Sequence, residues 1–241
     1  ITYIHGQLDV IPIAFLFGGF YFLFKGKLTL SGLFVGLGCA CKTNIILILP
    51  FYILYLLSKN IQVKEVFFIC GTLLSSFFLV NLPFIFDSSF IKMVFQNQEQ
   101  EKLFQFVFTL GDLSLYVAPS CILLLVIKAA LVKRFNRDIL MMFLGFSFSI
   151  ILLLVPVMQG WFFWLVPFLT YFYMKEEGRS KLLFWGIQIA YLLYFGVISN
   201  TDYLEVFQLI SPGIAGLISP YELFFQWGMD SNKIVNLSYT I

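Results

Sequence analysis

Charge is what this chain lacks. Only 12% of its 241 residues are Asp, Glu, Lys or Arg, about half the share found in soluble domains. So few charges cannot cover a water-facing surface. The chain holds one histidine and four cysteines. Cys39, Cys41, Cys70 and Cys121 all lie in apolar runs, and their spacing fits neither a zinc site nor a disulfide framework. They read as small residues that pack helices. No Walker A loop, HExxH, GxSxG or Rossmann glycine pattern occurs, so no soluble nucleotide-binding domain is expected. No basic patch with interleaved aromatics occurs either, which argues against nucleic acid as a partner. Nothing in the chain calls for a divalent metal or another cofactor.

What is present is apolar. Hydrophobic residues make up 60% of the chain, and 31 residues are Phe. Eight runs stand out: Val10–Phe24, Leu28–Cys41, Ile45–Leu57, Val66–Phe86, Leu113–Val132, Ile139–Val155, Trp161–Met174 and Leu182–Ile198. With their interfacial residues added, most approach the roughly 17–25 residues that cross a bilayer as a helix. The expected fold is all-α: a polytopic transmembrane helical bundle of about eight membrane segments, one transmembrane domain over residues 1–241. Amphipathic helices on the outer face are expected from Phe90–Phe108, whose flanks mix Phe, Val and Met with polar residues. No signal-peptide pattern occurs at the start. The chain begins at Ile1 and ends as though another apolar run were opening, so a piece of a longer protein is expected.

The second and third runs are each too short to cross. Fourteen helical residues reach about 21 Å, against a hydrocarbon core of about 30 Å. Either they form one long helix bent near Lys42, or two helices that meet around Cys41–Asn44 at a water-filled recess. Basic residues decide between these readings, because they gather on the cytoplasmic side. With two separate crossings, Lys25, Lys27, Lys59, Lys64, Lys128, Lys133, Arg134, Arg137, Lys175, Arg179 and Lys181 fall inside. Lys42, Lys92, Lys102 and Lys233 fall outside, which makes 11 of the 15 basic residues against four. A single crossing would put Lys128–Arg137 outside. The bias therefore favours two crossings. Pro50 is expected to bend the third run further. Gly32, Gly36 and Gly38 form a small-residue face that lets the second run approach a neighbour closely.

Polar residues at the edges of such runs are costly, and so they are candidate site residues. His5, Gln7 and Asp9 precede the first run on the outer side. Their alternative role is to cap a helix, since an acid suits a helix N-terminus. Lys42, Thr43 and Asn44 stand at the expected break. An ammonium, a hydroxyl and free backbone N–H groups there can bind an anion, with a lipid phosphate the leading choice. The alternative is a lysine reaching to the interface. Gln159 and Trp161 sit in a short outer turn and can face the same recess, or belong to an aromatic belt.

His5-Gly-Gln-Leu-Asp9, Leu30-Ser-Gly-Leu-Phe-Val-Gly-Leu-Gly38, Lys42 and Leu49-Pro50 together resemble the polytopic GT-C glycosyltransferases. The nearest resemblance is to bacterial polyprenyl-phosphate-sugar mannosyltransferases and those of GPI-anchor assembly. Gln7, Asp9, Lys42 and Pro50 match that pattern, and Gln159-Gly-Trp-Phe-Phe-Trp-Leu-Val-Pro167 matches a later turn loosely. The match is concentrated in residues 5–57. It implies a polyprenyl-phosphate-linked hexose donor, a glycan, lipid or protein acceptor, and inversion at the anomeric carbon. It also implies that Lys42 neutralises the leaving phosphate while Gln7 and Asp9 line the pocket. The catalytic base of such enzymes lies in a loop before the Gln-x-Asp helix, and is expected upstream of Ile1. The resemblance favours the bacterial cytoplasmic membrane over the endoplasmic reticulum. Two other classes remain open: a transporter or flippase of lipid-linked sugars, and a non-catalytic subunit of a membrane assembly.

Overall fold

Polar residues bound the first two apolar runs, and the first two helices stop where those residues stand. In a computed structural model, the described residues are 8–59, 61–96, 98–155, 159–175, 177–178, 180–197, 213, 218 and 220–240. They are mostly helical. Helix α1 (Val10–Phe24) and helix α2 (Leu28–Cys41) have the bounds of the first two apolar runs. Gly26 closes the turn between them at φ +74°, a conformation that a side chain resists. A 3-10 helix (Thr43–Ile48) and α3 (Leu49–Ser58) follow, then α4 (Val63–Asn81) and α5 (Ser88–Phe95). After α6 (Gln98–Glu101) come strands β1 (Val107–Leu110) and β2 (Leu113–Tyr116), α7 (Val117–Ala130) and α8 (Arg137–Leu154). The second six-residue 3-10 helix (Gln159–Trp164) leads into α9 (Val166–Lys175). Then come α10 (Ser180–Val197), α11 (Pro220–Gln226) and α12 (Ser231–Thr240).

The described residues divide into two compact units, one within residues 8–168 and the other beyond residue 168. In the larger unit α2 packs between α1 and α4. Glycines make this possible. A Cβ on Gly19 would stand 2.7 Å from Val35 Cγ2, and one on Gly32 would stand 2.8 Å from the Ile69 carbonyl oxygen. A Cβ on Gly36 would overlap the Leu73 carbonyl oxygen and stand 2.9 Å from Ser76 Cβ. Close approach of this kind packs helices where the surroundings are apolar. A buried polar bridge adds to it: Ser31 Oγ donates to the Gly19 carbonyl (2.8 Å) and lies 2.8 Å from the Tyr52 hydroxyl.

This unit has two distinct ends. At one, Arg137 Nη2 donates to the Phe24 carbonyl (3.1 Å), and Tyr55 packs on Phe24 and Phe135. Lys25, Lys27 and Lys59 flank these contacts. At the other, Ala118, Ile151 and Val155 form a cluster with Leu47, Leu103 and Trp161 packed against it. Between them runs α8, 18 residues or about 27 Å long. The chain reverses at Lys42: α2 climbs from the basic end, and residues 43–58 return to it, where Ser58 Oγ reaches the Phe135 carbonyl.

In the smaller unit α10 packs on α12. Tyr194 meets Tyr239, and the rings of Tyr173 and Phe184 stack 4.4 Å apart. Asp230 caps α12 by accepting from the Asn232 backbone N–H (3.0 Å).

Four sequence expectations change in detail. Among the described residues only α4 and α8 are long and apolar enough to cross a membrane; α1, α2, Thr43–Ser58, α7 and Lys181–Tyr194 are shorter apolar helices. Leu113–Val132 does not begin as helix. Its first four residues pair antiparallel with Val107–Leu110, because Phe108 to Leu115 alternate large apolar and small polar residues on either side of the Gly111-Asp112 turn. For the same reason the second flank of Phe90–Phe108 is a 3-10 turn and a strand, while the first forms the expected amphipathic helix α5. Finally, Pro50 does not bend a helix. It stands in the first turn of α3, where its missing N–H leaves no bond unmade.

Candidate functional site

The site begins with Asp9, the residue before α1. It occupies the N-cap position, but its side chain makes no capping hydrogen bond. Oδ1 instead accepts from Lys42 Nζ, forming an ion pair between residues 33 apart. Antiparallel pairing of α1 and α2 explains the meeting, since it sets the start of one helix beside the end of the other. The carboxylate still benefits from the N-terminal end of the α1 dipole.

Lys42 occupies the break between α2 and the first 3-10 helix. Its backbone is extended (φ −154°, ψ 120°), which ends α2 after Cys41. Its N–H still donates to the Gly38 carbonyl (3.0 Å), and its own carbonyl accepts from Ile45 (3.2 Å) to start the 3-10 turn. The ammonium lies 5.4 Å from the ring of Trp161 and 5.4 Å from that of Trp164. These two indoles stand three apart on the second 3-10 helix, where residues i and i+3 eclipse. The cation is thus held by one carboxylate oxygen and two π faces, an arrangement worth about 0.5–2 kcal/mol per indole.

The cluster is largely dry. The Asp9 side chain is 8% exposed and that of Lys42 29%. Trp164 is 3% exposed and stacks on Phe148 at 5.4 Å. Two of the buried polar atoms, Asp9 Oδ2 and Trp164 Nε1, have no hydrogen-bond partner among the described residues. Leaving such an atom unpaired costs about 1–3 kcal/mol, and polar groups of that kind collect where ligands bind.

Thr43 and Asn44 line the cavity beside this cluster. It measures about 330 Å³ and is walled by Leu47, Trp161, Ile151 and Val155, with Phe95, Gln100 and Phe104 across from them. Its walls are apolar apart from Thr43, Asn44 and Gln100. Chemically, the arrangement is a partly exposed cation beside an apolar hollow, a form suited to an amphipathic anion.

The structure therefore brings together Asp9, Lys42, Thr43, Asn44 and Trp161. His5 and Gln7 lie outside the described residues. Gln159 opens the second 3-10 helix, and its side chain lies outside the description. Trp164 was missed from the sequence, although its i,i+3 spacing from Trp161 was a readable signal. Among the described residues no three His, Cys, Asp or Glu side chains stand close enough to hold a metal ion. No protein-family model, curated protein or solved structure matches the chain.

Proposed function

We propose that this chain belongs to a multi-pass membrane glycosyltransferase of the GT-C kind, which takes a hexose such as mannose from a polyprenyl-phosphate donor. The observation that carries this reading is the Asp9–Lys42 pair under Trp161 and Trp164, beside an apolar cavity. A lipid phosphate needs both features, a cation for its head and an apolar path for its chain. Membrane residence draws support from α4, of which 22% of the most apolar 18-residue stretch is buried inside the protein, against 39% for α8. A core helix of a soluble protein hides its apolar face, whereas α4 leaves Phe67, Phe68 and Leu79 exposed. On this reading the shorter apolar helices also cross, lengthened by their flanking residues, and the 11-to-4 charge bias orients them with Lys42 on the non-cytoplasmic side of a bacterial cytoplasmic membrane.

In the reaction the acceptor hydroxyl attacks the anomeric carbon and loses its proton to a base. The bond from that carbon to the phosphate oxygen breaks, and its electron pair leaves with the lipid phosphate. Configuration inverts. Lys42 stabilises the negative charge that grows on the departing phosphate, a role typically worth 10²–10³ in rate, about 2.7–4 kcal/mol. Asp9 holds the ammonium in place, and its unpartnered oxygen accepts a sugar or acceptor hydroxyl.

A carrier of lipid-linked sugars is the second reading, and one observation favours it. Two apolar segments are interrupted by six-residue 3-10 helices, Thr43–Ile48 and Gln159–Trp164, and Lys42 meets the second of them. Paired interruptions mark binding sites in transporters. The test is transfer of labelled hexose from polyprenyl phosphate by the full-length protein in lipid nanodiscs. Lys42→Ala is expected to lower transfer by about 10²–10³-fold while the protein remains folded. Wild-type transfer in that variant overturns the role of Lys42. Movement of intact lipid-linked sugar without a glycosidic product favours the carrier.

A further inference from the structure

The hairpin of β1 and β2 has one wholly apolar face. Its register pairs Phe108 with Leu115 and Leu110 with Leu113. Paired residues, and residues two apart, share a face of a sheet, so these four side chains form one patch. Leu113 is 75% exposed, Leu110 62%, Phe108 56% and Leu115 49%. The opposite face is mixed: Thr109 pairs with Ser114 and Val107 with Tyr116. The turn is Gly111-Asp112, with Gly111 at φ +59°.

We propose that this hairpin lies in the interfacial layer of the membrane leaflet on the Lys42 side, with Phe108, Leu110, Leu113 and Leu115 toward the acyl chains and Thr109 and Ser114 toward the head groups. The inference rests on the membrane reading above. Continuity with the helical surface identifies lipid as the occupant. The Val117 N–H donates to the Phe106 carbonyl (3.0 Å), which fastens the hairpin to the first residue of α7. From there α7 carries exposed Leu123, Leu124 and Ile127, so exposed apolar side chains continue along the chain from hairpin to helix. Backbone chemistry sets the depth. Both outer edges of a two-stranded sheet have unpaired N–H and C=O groups, which hydrocarbon does not tolerate. Four-residue strands also fall short of the roughly 9–11 that cross a bilayer. The hairpin therefore lies flat at the interface, with Asp112 in the head-group layer. Leu103 and Phe104, just before β1, reach the cavity or its cluster, so the immersed hairpin places the cavity at the level where a lipid-linked donor presents its phosphate.

The test places an environment-sensitive fluorophore on Leu113→Cys, Ser114→Cys or Leu124→Cys in the full-length protein, reconstituted in phosphatidylcholine nanodiscs. The wild-type chain labelled alike supplies the background from native thiols. Quenching is compared for lipids carrying a nitroxide near the head group or near the chain end. The Leu113 probe is expected to emit to the blue of the Ser114 probe. It is also expected to be quenched about threefold more by the shallow nitroxide than by the deep one, as fits burial roughly 5–10 Å deep. Water-like emission at Leu113 without quenching overturns the proposal. Blue emission without quenching also overturns it, because protein then covers the face. If Leu124 is quenched and Leu113 is not, only the hairpin proposal fails. If neither is quenched, the membrane reading fails with it.

Discussion

The Asp9–Lys42 pair predicts an asymmetry between its two halves. Lys42→Met keeps the length of the side chain but leaves a carboxylate that is 8% exposed without its counter-ion. Breaking a buried pair in that way costs about 3–5 kcal/mol. Asp9→Asn leaves a cation that is 29% exposed, still resting on the faces of Trp161 and Trp164. Its loss is that of one charge-assisted hydrogen bond, about 1.5–3 kcal/mol. Partial exposure of Lys42 brings this toward the lower figure through solvent screening. Lys42→Met should therefore be the worse variant by about 2 kcal/mol. The double variant should be milder than the sum of the two, since no unpaired charge remains, with a coupling of about 1–3 kcal/mol. Equilibrium unfolding in mixed micelles, read by tryptophan fluorescence, measures all three, and Trp161 and Trp164 report from the site itself. Two results would refute the reasoning: Asp9→Asn at least as destabilising as Lys42→Met, or additive effects.

Three further outcomes follow from the packing. Gly36→Ala adds helix propensity of about 1 kcal/mol but drives a methyl into the Leu73 carbonyl, at an overpacking cost of about 1–3 kcal/mol. The same unfolding assay should show net destabilisation, whereas Gly71→Ala, with open space around it, should stabilise. Ser31→Ala strands the buried Tyr52 hydroxyl and should cost about 1–3 kcal/mol, more than Tyr52→Phe, which leaves Ser31 bonded to the Gly19 carbonyl. Asp87 accepts from the Ser89 N–H (2.7 Å) at the start of α5, and the Ser89 bonds hold its carboxyl below the ordinary value. Its folded pKa is the lower one, so its support for α5 is complete above the ordinary carboxylate range. That support is lost as pH falls through the depressed folded value. Protection factors of the α5 amides, which divide out the intrinsic pH dependence of exchange, should fall at acid pH, and Asp87→Ala should remove that fall.

Much of this was open to sequence reasoning because the relevant forces are local. Asp9, Lys25 and Lys42 bound their apolar runs, and α1 and α2 end with those runs. The break at Lys42 could be read from a lone charge between two runs too short to cross. The glycine face of α2 was visible as spacing, although its partner α4 was not. The hairpin was hidden because its alternation is set in a background already apolar, where Leu113–Val132 looks like one continuous run. Its signal, large apolar residues alternating with Thr109 and Ser114 around Gly111-Asp112, is easily lost among 31 phenylalanines.

By itself the sequence determined which segments avoid water and where the first two of them end, since those properties follow from side-chain chemistry and nearest neighbours. It also marked Asp9, Lys42 and Trp161 as costly or amphipathic residues needing a reason. Only the tertiary structure decided that Asp9 binds Lys42 rather than capping α1, because that choice depends on α1 and α2 running antiparallel within glycine contact. Only the tertiary structure set Trp161 and Trp164 together over Lys42, because spacing puts two residues on one helical face but packing decides which distant group that face meets.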